Sequence, residues 1–258
     1  VFSKAAGVMF TVDLVTGNDN NILIEGSWGL GEYVVQGTVT PDNFRVDKQK
    51  MVITDRMIND KKLIISVGQS RTSKQWIQTE LMWSEFIERL RTPQRTTETV
   101  EQYHQLPKSA QAKLKDIGGF VGGSLIGLQR KAINVTGRDL ITLDLDAIEP
   151  GQTDNVVRTV DSLGMAYVVY STRSHTPHRP RLRVVIPTDR TMTPDEYEPI
   201  ARKVASLIGI GMMDSTTFEA SRLMYWPGCS SDAQYVFRYA DKPFLSADGI
   251  LAEYTDWR

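Results

Sequence analysis

The segment Ile141-Thr142-Leu143-Asp144-Leu145-Asp146 alternates apolar and polar side chains, which predicts a β-strand that ends in two acids. Its three apolar side chains fall on one face, and Thr142, Asp144 and Asp146 fall on the other. The Cα atoms of the two acids are expected about 6.5 to 7 Å apart, a spacing at which two carboxylates can share one or two divalent cations. A solvated strand face without function is the alternative.

The residues that follow predict further elements in a specific order. These are a helix from Thr153 or Asp154 to Gly164, strands at 166–171 and 182–186, a helix after the N-cap Thr193, and a strand at 223–226. The βαββαβ order predicts an α+β fold of the ferredoxin-like or RNA-recognition-motif type. Both helices would cover one face of the sheet. We expect Asp144 and Asp146 to point to the other face, which would stay open.

The part of the chain before this core predicts a helical N-terminal extension. Apolar residues between Trp76 and Leu90 have helical spacing, and a second helix is predicted at 110–117. Glycines 118, 119, 122 and 123 follow. They either allow a nucleotide backbone to approach closely or form a hairpin bend.

A basic connection joins the second and third strands of the core. It contains Arg173, Arg179, Arg181, Arg183, His175 and His178, in a chain whose formal net charge is -1. The pattern predicts a local anion site. A solvated basic hairpin and a zinc site at His175 and His178 are the alternatives.

A third acid, Asp214, comes from a separate segment between the second helix and the last strand. Three acids that hold two Mg²⁺ or Mn²⁺ ions are what a two-metal nucleotidyl-transfer site needs. One ion would activate an attacking 3′ hydroxyl, and the other would neutralise the leaving pyrophosphate. The alternative is a loop acid that makes an Asx turn.

Several short motifs together resemble one superfamily. They are Gly118-Gly119-Phe120-Val121-Gly122-Gly123, Leu143-Asp144-Leu145-Asp146, Tyr170-Ser171-Thr172, His175-Thr176-Pro177, Pro180-Arg181-Leu182-Arg183 and Ser221-Arg222-Leu223-Met224-Tyr225-Trp226-Pro227. From about Lys62 to the C-terminus, the chain resembles the archaeo-eukaryotic primase superfamily of primase-polymerases. The likeness is closer to the domain found in phage and prophage proteins of the virulence-associated protein E type.

This resemblance implies roles for individual residues. Asp144, Asp146 and Asp214 would be catalytic ligands of Mg²⁺ or Mn²⁺. The implied nucleotide contacts are His175, Arg181, Arg183 and Arg222. The resemblance also implies nucleoside triphosphates, a single-stranded DNA or RNA template and a helicase domain or protein as partners. One position departs from the pattern, because Arg173 stands where the superfamily has a small residue two positions before the histidine.

The first sixty residues resemble a different family. The motifs are Ala6-Gly7-Val8-Met9-Phe10-Thr11-Val12-Asp13, Ile24-Glu25-Gly26-Ser27-Trp28-Gly29-Leu30-Gly31-Glu32 and Gly37-Thr38-Val39-Thr40-Pro41-Asp42. They look like part of the ATP-grasp domain of phosphoenolpyruvate synthase (pyruvate, water dikinase), in which acids of the Glu25 and Glu32 kind lie near ATP. We expect a small β-rich fragment without kinase activity at 1–60 and a primase-polymerase-like domain at 61–258. A fusion would explain the junction at 57–62.

Composition sets broader limits. The chain has 258 residues, of which 41% are hydrophobic, enough for a core. A single cysteine, Cys229, excludes an internal disulfide and a cysteine-based zinc cluster, and fits a reducing cytoplasm. No apolar run is long enough to span a bilayer, so no membrane partner is expected. The chain begins with Val1, which suggests a start inside a longer reading frame.

Together these features predict a metal-dependent nucleotidyltransferase, like a DNA primase or polymerase, that acts on a single-stranded template in phage or prophage replication. Two alternatives stay open: an inert fragment of phosphoenolpyruvate synthase, and a non-catalytic nucleic-acid-binding module of the same fold.

Overall fold

The computed structural model describes residues 5–13, 16–17, 19–28, 34–35, 41–57 and 61–257. The chain divides into two compact units, Val1–Lys61 and Lys62–Arg258. Each unit has its own sheets. Across the described ranges, no helix is both long enough and apolar enough to cross a membrane.

The first unit contains a four-stranded antiparallel sheet with its strands in chain order. The strands are β1 (Ala5–Phe10), β2 (Asn21–Trp28), β3 (Asp42–Asp47) and β4 (Val52–Met57). In the β3–β4 turn, the Asp47 carboxylate accepts the backbone N–H groups of Gln49 and Lys50 at 2.9 and 2.8 Å. This Asx-type turn explains why a tight connection forms there.

The second unit mixes strands and helices. Its strands are β5 (Lys62–Gly68), β6 (Ile77–Met82), β7 (Gln94–Arg95), β8 (Gly119–Val121), β9 (Gly123–Leu125), β10 (Val135–Leu145), β11 (Tyr167–Ser171), β12 (Leu182–Met192), β13 (Met224–Tyr225), β14 (Gly228–Cys229) and β15 (Phe237–Ala240). Its helices are α1 (Trp83–Arg91), α2 (Val100–Gln105), α3 (Lys108–Lys115), α4 (Thr153–Ser162), α5 (Pro194–Ile208) and α6 (Ala247–Leu251).

The central sheet has the order β15-β11-β12-β10-β9, and all of its strand pairs are antiparallel. Ile141, Leu143 and Leu145 on β10 pack with the apolar faces of α4 and α5 in the larger hydrophobic core, as the alternation predicts. Helix α5 begins with the predicted capping box, in which Thr193 and Glu196 satisfy each other's backbone N–H groups. Local sequence therefore determines strand β10 and helix α5 of this unit.

The opposite face of the central sheet is covered, so the expectation of an open face is wrong. A second sheet with the order β13-β8-β5-β6 and helix α1 pack against it. Leu140 and Val185 from the central sheet share this core with Leu63, Trp83 and Phe86. The N-terminal extension supplies enough apolar surface to bury the face, which leaves only the end of β10 beside a cleft.

Two other expectations need correction. The predicted fourth strand of the βαββαβ core lies in the second sheet, where Met224 pairs with Phe120, and the βαββαβ order is therefore not confirmed. The extension is also not purely helical, because Ile77–Met82 forms strand β6 and the helix begins only at Trp83. Pairing of Ile77–Met82 with β5 overrides its helical spacing.

Candidate functional site

The acids of the site meet at the end of strand β10. Asp144 lies opposite Arg183 of β12 in the antiparallel register. On the other side of β10, the Asp214 N–H donates to the Asp144 carbonyl at 2.8 Å. The Asp144 N–H donates to the Thr217 hydroxyl at 2.9 Å. Backbone hydrogen bonds thus bring Asp214 beside Asp144, although 70 residues separate them in the chain.

Arginines surround the first and third acids. Arg183 Nε lies 3.5 Å from Asp144 Oδ1, and Arg222 Nη2 lies 3.5 Å from Asp144 Oδ2. The same Arg222 nitrogen is 2.9 Å from Asp214 Oδ2. Asp144 is 5% exposed, and its Oδ1 atom accepts no hydrogen bond from the described residues. A buried carboxylate oxygen without a donor is costly, so a missing partner is expected there.

The second acid, Asp146, is paired with a residue of the connection between β11 and β12 (172–181), called here the hairpin. Arg181 Nη1 contacts Asp146 Oδ2 at 2.6 Å, and the Arg181 N–H donates to Nδ1 of His175 at 3.1 Å. Burial lowers the pKa of His175, which favours the neutral ring. Because Nδ1 is an acceptor, the proton of the neutral ring lies on Nε2. The hairpin thus places the Arg181 side chain on Asp146 and fixes the His175 ring through the Arg181 backbone.

The pKa values of two acids shift in opposite directions. Burial and the neighbouring charge of Asp144 raise the pKa of Asp146 above its usual range. Burial also acts to raise the pKa of Asp214, but hydrogen bonds from Thr216 and the charge of Arg222 outweigh it, and the pKa is lowered. Asp214 Oδ1 accepts both the N–H and the hydroxyl of Thr216, at 2.9 and 2.7 Å. The Asx-turn alternative for Asp214 is therefore realised, while its other oxygen faces Arg222.

A cleft opens beside these acids. It is small: about 240 Å³ of empty space is counted when the open solvent is included, but the cavity itself is about 10 Å³, close to the room that one water molecule needs. It is lined by Lys115, Ser171, Thr172, Arg173, Arg183, Tyr225, Trp226, Pro227 and Gly228. Arg173 Nε and Nη1 and Arg183 Nε are buried and donate no hydrogen bond to any described residue. Burial and the nearby Arg183 lower the pKa of Lys115. Three crowded cations with unused donors favour an anionic ligand.

Arg173 is fixed from behind the cleft. Its Nη2 contacts the Glu98 carboxylate and lies 2.5 Å from the Thr96 hydroxyl. Its guanidinium is 4.9 Å from the ring centroid of Tyr103. These contacts tie the segment around β7 and α2 to the hairpin, and they leave the remaining nitrogens of Arg173 available to the cleft.

A divalent cation suits the chemistry of the donor set, because carboxylate oxygens are its usual ligands and Asp144 Oδ1 has no donor. The arrangement is not preformed: within the described ranges, no three His, Cys, Asp or Glu side chains are placed to hold one metal ion. Asp146 and Asp214 instead form ion pairs with Arg181 and Arg222. Metal binding would require these acids to exchange their arginine partners for the cation.

The structure brings some of the predicted site residues into contact with one another, but not all of them. Asp144 contacts Arg183 and Arg222, and Asp214 contacts Arg222. Arg181 contacts Asp146 and His175 instead. The zinc alternative finds no support in the described residues, since His175 is buried while His178 is exposed.

Sequence reasoning gave no role to Lys115, and it counted Arg173 among the basic residues of the predicted anion site without a role of its own. The signal for Arg173 was its place in that basic connection. For Lys115 there was none, because its approach to the acids depends on how α3 packs.

The glycine-rich segment serves the fold. A Cβ atom on Gly119 would lie 2.2 Å from the Met224 carbonyl oxygen, and one on Gly123 would lie 2.0 Å from that of Gly137. Close strand contacts therefore require these glycines. In the first unit, Glu25 lies in β2 opposite Val8 and Asn43, and Glu32 lies outside the described residues.

Comparisons with known proteins give two kinds of match. Phosphoenolpyruvate synthases match in part. The probable enzyme of Staphylothermus marinus is 47% identical over 85 residues, which are 33% of this chain and 10% of that protein. The enzyme of Aeropyrum pernix is 34% identical over 117 residues, or 45% of this chain and 14% of that protein. The chain thus spans only about a tenth of the length of these relatives.

Among solved structures, the AEP domain of the cyanophage S-2L primase-polymerase (PrimPol) aligns with 74% of this chain and 87% of its own length, at 12% identity and a TM-score of 0.40. The sequence profile described as the VapE N-terminal domain matches residues 47–258. Because this match covers most of the chain, the protein belongs to the VapE N-terminal domain family.

Proposed function

We propose that the unit Lys62–Arg258 is a metal-dependent nucleotidyltransferase of the primase-polymerase type. It would add nucleotides to a primer on a single-stranded DNA or RNA template in phage or prophage replication. Membership of the VapE N-terminal domain family supports the class of activity. In this proposal the domain boundary lies at residues 60 and 61, and the cytoplasm is the working compartment.

The observation that carries the proposal is the contact of a carboxylate cluster with an anion-binding cleft. Asp144 and Asp214 share Arg222, and Arg183 contacts Asp144 while lining the cleft. Transfer of a nucleotide needs this combination, because a triphosphate and its metal ions must be held side by side. A simple phosphate pocket would not need the buried Asp144 beside the arginines, and a purely structural ion pair would not leave two buried nitrogens of Arg173 without an acceptor.

Each group then has a role. Asp144, Asp146 and Asp214 would hold Mg²⁺ or Mn²⁺, which supplies charge neutralisation and a more acidic hydroxyl. Arg181, Arg183 and Arg222, freed from the acids, would contact the triphosphate, and Nε2–H of His175 would donate to it. Lys115 and Arg173 would complete the phosphate contacts from the cleft. The acids would change partners from arginine to metal as nucleotide enters.

The test is nucleotide incorporation by the full chain on a primed single-stranded template, with Mg²⁺ or Mn²⁺. Asp144→Asn is compared with the matched control Asp154→Asn, an exposed acid at the start of α4. We expect incorporation by the parent and by Asp154→Asn, and loss in Asp144→Asn. A folded parent that binds template and nucleotide without incorporation would contradict the proposal.

A non-catalytic nucleic-acid-binding module is the second candidate. It is favoured by one observation, namely that arginines hold Asp146 and Asp214 and that no metal-binding trio exists among the described residues. Such a module would bind nucleic acid equally well with and without divalent metal. Titration of the parent with Mn²⁺ distinguishes the two, since a module predicts no saturable binding that depends on Asp144.

For the unit Val1–Lys61 we propose no activity of its own. The motifs that resemble phosphoenolpyruvate synthase lie in this unit, and the chain spans about a tenth of the length of the phosphoenolpyruvate synthases that it matches. In this view Glu25 and Glu32 are vestiges of an ATP site. Their replacement by glutamine should leave nucleotide incorporation by the full chain unchanged.

A further inference from the structure

Arginine and aromatic side chains alternate along a surface that begins at the cleft. Its members are Trp226, Arg89, Arg91, Phe237 and Tyr239, called here the arginine–aromatic strip. The Arg89 guanidinium lies 3.7 Å from the ring centroid of Trp226. The Arg91 guanidinium lies 5.1 and 5.0 Å from the centroids of Phe237 and Tyr239. These two rings are 5.9 Å apart.

The strip leads from the cleft to the edge of the central sheet. Trp226 lines the cleft. Strand β15 is the last strand of the sheet and pairs with β11, which ends at the cleft residue Ser171. Phe237 is opposite Tyr170, close to that end, and Tyr239 is opposite Val168, farther away. A ligand that follows the strip would therefore enter the cleft at Trp226.

The strip is accessible and carries unused positive charge. Tyr239 is 44% exposed, and no other Phe, Tyr or Trp side chain in the described ranges is classed as exposed. Arg89 is exposed and forms no ion pair with a described residue. The Arg91 side chain is 40% exposed and is paired with Glu88 at 2.8 Å. If these side chains only packed the end of α1, Tyr239 would be covered, and Arg89 would have an acidic partner.

We propose that the arginine–aromatic strip binds single-stranded nucleic acid and delivers it to the cleft. A base stacks on the exposed Tyr239, and Arg89 and Arg91 contact the phosphates. Interleaved rings and arginines suit a single strand because every base has a face that can stack, and the backbone is an anion throughout. A duplex offers no free base faces, and a folded acidic protein would not need rings at strand spacing. The inference rests on the proposed function, since it makes this strand the template.

The test is direct binding to the full chain, without metal or nucleotide. Fluorescence anisotropy follows a short labelled oligonucleotide of mixed sequence, as single-stranded DNA, single-stranded RNA and duplex DNA. Tyr239→Ala is matched with Tyr239→Phe, which keeps the ring. Arg89→Gln is matched with Arg158→Gln, an exposed arginine of α4 on the opposite side of the sheet.

We expect Tyr239→Ala and Arg89→Gln each to weaken single-strand binding about tenfold, a typical cost of one lost stacking or phosphate contact. The two control variants should stay within about twofold of the parent. Glu88→Gln should tighten binding, because it releases Arg91. DNA and RNA single strands should bind alike, since the contacts involve bases and phosphates, and the duplex should bind more weakly.

Equal binding by Tyr239→Ala, Arg89→Gln and their controls would overturn the inference, as would tighter binding of the duplex. Nucleotide incorporation is measured separately. Loss of single-strand binding in the strip variants, together with an inactive parent, would uphold the strip and reject the proposed function. If the parent incorporates nucleotide and the strip variants bind single strands as the parent does, the proposed function stands and the strip is rejected.

Discussion

Strand β12 carries one arginine near each end. Both arginines contact acids, but the hydrogen bonds that they make differ. Near the end of the strand, Arg190 bonds both oxygens of Glu196 at 2.8 and 3.0 Å. Its Nε bonds Asp248 at 3.0 Å. Near the beginning, Arg183 Nε lies 3.5 Å from Asp144 and makes no hydrogen bond with a described residue.

This difference separates structural from functional charge. A bidentate pair at the rim uses all its donors and fixes the strand to α5 and α6. At the other end, Arg183 Nε and Asp144 Oδ1 are buried and face each other at 3.5 Å without a hydrogen bond, and buried polar groups without hydrogen bonds cost on the order of 1–3 kcal/mol each. A fold tolerates such a cost where a ligand completes the contacts. We therefore expect substitutions at the two ends to differ in their effect on nucleotide binding.

The largest effect is expected for Arg183→Gln. Loss of a buried charged contact to the triphosphate should raise the KM for nucleotide about 100-fold. The free energy of unfolding should fall as well, because Arg183 is the buried ion-pair partner of Asp144 and its Nη1 donates to the Tyr225 carbonyl. Steady-state incorporation and urea denaturation measure the two quantities. A large loss of stability with unchanged KM would show that Arg183 is a structural residue.

The next effect is expected for Arg190→Gln, which is the same substitution at the other end of the strand. It leaves Glu196 and Asp248 without their cation and should lower the free energy of unfolding by about 2 kcal/mol. The KM for nucleotide should stay that of the parent. Arg190→Gln with reduced nucleotide affinity but parental stability would remove the distinction between the two ends.

The fold could be predicted where it depends on local sequence. The alternation of 141–146 and the capping box of Thr193 and Glu196 are local signals, and both elements form as predicted. The partner of the strand Met224–Tyr225 depends on tertiary pairing with β8, which no local pattern reveals. The covered sheet face was missed for the same reason, because the covering elements come from the N-terminal extension.

The site shows the same limit. Asp144 and Arg183 were identifiable from their strands, and Asp214 from its place between the second helix and the last strand of the predicted core. Their contacts depend on the bond from the Asp214 N–H to the Asp144 carbonyl, which only the folded chain reveals. Lys115 approaches the acids through the packing of α3. The pairing of Asp146 with Arg181, in place of a shared metal site, also follows from side-chain geometry.

Smaller effects on stability, of opposite sign, are expected when Asp146 at the cleft end of β12 and Glu196 at the other end are each replaced by a neutral amide. Burial and Asp144 raise the pKa of Asp146, so its charged form costs stability once the pH exceeds this raised value. Burial acts against Glu196 too, but hydrogen bonds from Arg190 outweigh it and lower the pKa. The stability that ionised Glu196 provides is present above its usual pKa of 4.5 and is lost as the pH falls through the lowered value.

At neutral pH, Asp146→Asn should therefore raise the midpoint of urea denaturation, and Glu196→Gln should lower it. The same Asp146→Asn variant should lose Mn²⁺ affinity, as measured by calorimetry. In the parent, that affinity should decline in acid at a pH above the usual carboxyl pKa of 3.8, because Asp146 takes up a proton there. Shifts of equal sign in the two variants would contradict the assignment of opposite roles.

The smallest effect is expected at His175, whose titration affects only the cleft end of β12. Burial lowers its pKa below the ordinary value of 6.5, so the folded state favours the neutral ring that accepts the Arg181 N–H. Its contribution to stability is complete above 6.5 and is lost as the pH falls through the lowered pKa. Urea denaturation between about pH 7 and pH 5 should therefore show stability falling in the parent and a shallower fall in His175→Asn.

The exposed His104 and His178 serve as controls, because their replacement by asparagine should leave the parental slope. Glu196 loses its charge only below 4.5, so the two ends of the strand respond in separate pH ranges. Parallel curves for the parent and His175→Asn would mean that the histidine does not couple the hairpin to the acids through the Arg181 backbone. The site would then depend on Arg181 through its side-chain contact with Asp146 alone.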